Sequence, residues 1–174
     1  FWMMNSDLSP ANVLYECHSE NEMKDLIECG INVTSGYVSL NESYMRDYKR
    51  PVVNKIKGNY QEYKAIVKII DLYNCRKIHW FSYFRNHNVK IYLTWDRVRD
   101  HHMVAADAIN DNNGISVYWP LSFDGFREIG SKVCTDVIFS YSKFGADMEK
   151  DVGSKYKYNI ILGYPRDHAG YLLK

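Results

Sequence analysis

Asn88-Val89-Lys90-Ile91-Tyr92-Leu93-Thr94-Trp95 and, further on, Gly114-Ile115-Ser116-Val117-Tyr118-Trp119-Pro120 decide the fold, together with what lies between them. The first run is rich in β-branched and aromatic residues and alternates along the chain, so it reads as a strand over 89–95. Asp96-Arg97-Val98-Arg99-Asp100 is a polar loop. Asp100 is placed to cap a helix from His101 to about Asn112, whose inner face would carry Val104, Ala105, Ala108 and Ile109. Asn113-Gly114 ends that helix, and 115–119 is the next strand. A strand, a helix of about ten residues and a second apolar strand make a βαβ unit, which implies a parallel sheet.

The same alternation extends in both directions. Toward the N-terminus, 12–17 reads as a strand, and Ser19 with Glu22 forms a capping box for a helix carrying Met23, Leu26 and Ile27. Gly30 stops that helix, and Ile31-Asn32-Val33 is extended. Two helical stretches follow, from Tyr60 to about Asn74 and from Arg76 to Asn86, the second with Ile78, Trp80, Phe81 and Phe84 as core. Val52-Val53 is a short strand candidate. Toward the C-terminus, strands are expected at 136–141 and 158–162, around a helix over 143–152. The fold class is therefore α/β: a Rossmann-like parallel sheet with helices on both faces. The expectation is one domain over 1–174 and, because the chain opens on Phe1, an excised piece of a longer protein.

Composition narrows the function. The 174 residues are 46% hydrophobic and 25% charged, and the net charge is +1. That balance argues against nucleic acid as a partner and against a polybasic membrane anchor. No apolar stretch approaches the ~20 residues of a membrane span. Cys17, Cys29, Cys75 and Cys134 are scattered, with no Cys-x-x-Cys pair. They read as free, mostly buried thiols of a reducing, cytoplasmic compartment, with no metal site. Aromatic residues reach 15%, with 15 tyrosines, which suits partly wet clefts.

In open α/β sheets ligands gather at the carboxyl ends of strands. That rule selects Asp96, Arg97, Arg99, His101, Ser122 and Arg166 as a site for a polar, polyhydroxylated or anionic ligand. Each has a plainer reading. Asp96 can be a turn former and Asp100 a helix cap. His101 and His102 can be a solvated pair at a helix start, or a neutral base. Ser122 can simply follow Pro120 in a turn. Three signatures are missing: the Gly-x-Gly-x-x-Gly of dinucleotide sites, the P-loop and the Gly-x-Ser-x-Gly elbow.

The succession Trp80-Phe81, Asn88-Val89-Lys90-Ile91, an alanine-containing helix, Gly114-Ile115 and Ser116 to Ser122 resembles the N-terminal Rossmann-like domain of GT-B glycosyltransferases. It is most similar to bacterial enzymes of capsule and O-antigen polysaccharide synthesis. A later strand opening on Asp136 and a Gly163-Tyr164-Pro165 turn extend the resemblance, which covers about residues 60–168. No second Rossmann domain follows within the sequence.

The resemblance implies transfer of a sugar from a nucleotide-sugar donor to a growing glycan acceptor. Asp96, or else His101, would deprotonate the attacking hydroxyl. Arg97, Arg99, Ser122 and Arg166 would hold substrate groups. It implies no cofactor and no metal, a C-terminal Rossmann domain as the donor-side partner, and peripheral association of the full-length protein with the inner face of the membrane. Two alternatives remain open: a polyol-phosphate transferase of teichoic-acid type on the same scaffold, and a non-enzymatic α/β binding module.

Overall fold

A computed structural model of the protein describes residues 7–35, 58–97, 101–120 and 132–163, the side chain of His101 apart. The chain forms two compact units, residues 1–39 and 40–174. The Val52-Val53 strand and the Asp100 cap expected from the sequence lie outside the described residues.

The first unit is a small βαβ. Strand β1 (Leu14–Glu16) and strand β2 (Asn32–Thr34) pair in parallel, joined by helix α1 (Glu20–Glu28). Ser19 caps α1 by accepting from the Glu22 amide, as expected. The Glu22 carboxylate does not complete a capping box. It accepts instead from the Cys17 thiol at 3.2 Å. Cys17, Leu26 and Ile31 form the buried core of this unit, and Gly30 leaves the helix at a φ of 78°.

The second unit carries helix α2 (Tyr60–Asn86), β3 (Ile91–Thr94), α3 (His101–Asp111), β4 (Ile115–Tyr118), β5 (Val137–Ser140), α4 (Lys143–Asp151) and β6 (Tyr158–Ile161). The two helical stretches expected over 60–86 are one continuous helix of 27 residues. Nothing between Asn74 and Arg76 breaks it, since neither Gly nor Pro occurs there. Its start has the full reciprocal cap that α1 lacks: Asn59 accepts from Glu62, and the Glu62 carboxylate accepts from the Asn59 amide.

The four strands lie side by side in the order β3-β4-β5-β6, all parallel. The class is thus α/β with parallel sheets flanked by helices, a Rossmann-like arrangement. Register then sorts the side chains into two faces. Tyr92, Ser116, Tyr118, Ile138 and Ser140 share one face, and all but Tyr92 are at most 2% exposed. Trp80 and Phe84 of α2 close over Tyr92, with ring centroids 5.8 and 5.4 Å away.

The opposite face carries Ile91, Leu93, Ile115, Val117, Val137, Phe139, Tyr158 and Ile160. Here Ile91 is 63% exposed and Ile115 48%. Among the described residues the helices of this unit therefore stand on one face, where the sequence led us to expect both. The physical reason is the strand order. Consecutive strands laid down in one direction with right-handed crossovers place every connecting helix on the same side.

One close approach fixes the α3-to-β4 turn. Asn113 takes a left-handed φ of 57°, and a Cβ on Gly114 would come within 2.8 Å of the Lys90 carbonyl oxygen. Only glycine fits against that neighbouring strand.

Candidate functional site

Strands β3 to β6 all present their carboxyl ends at the same edge of the sheet, because they are parallel. At the end of β3, the Thr94 hydroxyl accepts the Asp96 amide at 3.1 Å. This tight turn leaves Asp96 half-buried at the sheet's crest.

Arg97 turns back toward the helical face. Its guanidinium meets the Glu149 carboxylate of α4 at 2.8 Å and lies 5.6 Å from the Tyr118 ring centroid. The Glu149 side chain is 6% exposed, and its other oxygen accepts from the Ser154 hydroxyl at 2.6 Å. A cation so enclosed by a carboxylate and an aromatic face serves to tie β3 to α4. Both contacts are to the protein's own groups.

Further along the crest, the Ser140 hydroxyl donates to Asn159 Oδ1 at 2.8 Å, and the Tyr141 hydroxyl donates to the Pro120 carbonyl. Ser142 caps α4 by accepting from the Gly145 amide. Ser140 is 1% exposed, so its bond to Asn159 ties β5 to β6 beneath the helices, while the Tyr141 and Ser142 bonds hold the turn into α4.

Of the six residues proposed from sequence, Asp96 and Arg97 stand together after β3. His101 opens α3 at the same edge, with its side chain outside the description. Arg99, Ser122 and Arg166 lie outside the described residues. His102 corrects the solvated-pair reading, since it is 2% exposed in the first turn of α3. The expectation of mostly buried thiols is also corrected. Cys17 is buried, Cys29 and Cys75 are exposed, and Cys134 is intermediate.

Sequence reasoning missed two charged clusters. At the amino end of the sheet, Asp136 Oδ2 accepts from both the amide and the hydroxyl of Ser116 at 2.8 Å, while Oδ1 meets Lys157 at 2.7 Å. Burial pushes the Asp136 carboxyl up. The bonds from Lys157 and Ser116 outweigh that and hold it below the ordinary carboxylate value. The cluster stitches β4, β5 and β6 together at their starts. An Asp leading an apolar strand was its visible signal.

The second cluster joins α2 to α3. Lys77, with a side chain 9% exposed, reaches Asp107 at 2.6 Å and Asp111 at 2.8 Å, and the Tyr73 hydroxyl also donates to Asp107. Burial alone would lower the Lys77 ammonium, but the two carboxylates hold it above the ordinary lysine value. Lys77 falling among the apolar positions Ile78 and Phe81 marked it in the sequence, as did the spacing of four between the aspartates.

A groove of about 350 Å³ lies at the amino end of the sheet, lined by Phe81, Phe84, Arg85, Lys90 and Asn113 among others. It is at the opposite edge from Asp96. The strand order adds a second point. Strands β3 to β6 run in one direction without reversal, so they contain no topological switch point of the kind that opens a ligand crevice. Among the described residues no group of His, Cys, Asp or Glu side chains is arranged to hold a metal, and no helix is long and apolar enough to cross a membrane. No family model matches the chain, and no curated protein or solved structure shows significant similarity to it.

Proposed function

We propose that the second unit is the acceptor-side domain of a GT-B-type glycosyltransferase acting in surface-polysaccharide synthesis. The supporting observation is the succession of its elements. A long helix, β3 entered through Asn88-Val89-Lys90, α3, β4 entered through Gly114, and β5 entered through Asp136 follow one another, the strands in one parallel sheet. In this reading Asp96, at the crest, takes the proton from the acceptor hydroxyl, a general-base role worth about 10²–10⁴-fold. Arg97, held beside Asp96 by Glu149, contacts the substrate at the same corner. Arg99, Ser122 and Arg166 supply contacts to the glycan, and His101 is the second choice as base. The donor diphosphate is held by a second Rossmann domain, and the protein works in the cytoplasm at the inner face of the membrane.

A product assay with UDP-, GDP- and CMP-linked sugars, run beside CDP-glycerol, tests this reading. Sugar transfer by the full-length protein supports it. Nucleotide release from CDP-glycerol alone replaces it with the polyol-phosphate transferase.

A second reading, a non-enzymatic α/β binding module, is favoured by two observations. Arg97 is committed to Glu149, and the groove the described residues form lies at the end of the sheet away from Asp96. Glycan or nucleotide binding without turnover, unchanged by Asp96→Asn, would establish it.

A further inference from the structure

We draw no further inference here: the strongest candidate, the exposed apolar face of the four-stranded sheet bearing Ile91, Leu93, Ile115, Val117, Phe139 and Ile160, carries nothing because nothing in the structure shows what covers it.

Discussion

Arg97 and Glu149 join the carboxyl end of β3 to the last turn of α4, with Nη2 and Oε1 2.8 Å apart and both side chains at most 12% exposed. On its way the guanidinium passes the Tyr118 ring of β4, 5.6 Å from its centroid. Removing one charge leaves the other enclosed. Arg97→Ala should therefore cost about 3–5 kcal/mol, the usual penalty for an orphaned buried ion. Chemical denaturation of the single variants and of Arg97→Ala/Glu149→Ala measures it. The double variant should be less destabilised than the sum of the singles. Arg97→Lys should recover only part of the loss, because an ammonium lacks the planar fork that meets both Glu149 and Tyr118.

Asp136 makes folding sensitive to acid. Its folded-state carboxyl sits below its ordinary value, so the folded state binds the proton less readily than the unfolded chain. Its contribution is present in full above about pH 4 and is lost as the pH falls through the lower, folded-state value. Thermal melts from pH 7 down to pH 2 should show that loss. In Asp136→Asn the acid-dependent part should be smaller, with a pH-independent loss of about 1–3 kcal/mol from the altered bonds to Ser116 and Lys157.

Lys77 gives the opposite sign. Its ammonium is held above the ordinary lysine value, so its contribution is complete below about pH 10 and fades as the pH rises through the raised, folded-state value. Lys77→Met keeps the stem that packs in the α2 stripe and removes the charge. This variant should melt earlier than the parent at pH 7, and the gap should narrow in alkaline melts.

The two faces of the sheet should respond unequally to the same deletion. Ile138 is 1% exposed on the helical face, whereas Ile160 is 42% exposed on the other. Ile138→Ala should cost about 2–5 kcal/mol. Ile160→Ala should cost under about 1 kcal/mol, the range of strand propensity alone. Equal losses in denaturant titrations would mean that both faces are covered in solution.

Asp96→Asn separates chemistry from folding. As a general base, Asp96 should give a loss of about 10²–10⁴-fold in turnover in the full-length protein, with little change in melting temperature. The bond from the Asp96 amide to the Thr94 hydroxyl is made by the backbone, and the substitution leaves it in place. A matched loss of stability would make Asp96 a turn residue.

The class and most of the described elements were legible in the sequence, the break expected between Asn74 and Arg76 apart. Strand β4 was legible because Ile115-Ser116-Val117-Tyr118 is bounded by Gly114 and Pro120, and α1 because Ser19 stands before its first turn. These are local effects: dihedral preference, capping and period act over a few residues. The stripe Ile78, Phe81 and Phe84 was legible as core for the same reason.

Which side chains meet depended on long-range packing. Ser116 finds Asp136 and Arg97 finds Glu149 across gaps that no helical or strand period encodes. Strand order is likewise invisible locally, yet it sets which face the helices cover and removes any switch point from the four strands. Arg97 shows the consequence best. Its position after a strand made it a ligand candidate, but a parallel sheet also brings the helix that follows β5 to that corner. A cation beside a buried carboxylate is held there because separating the pair would leave a charge without solvent.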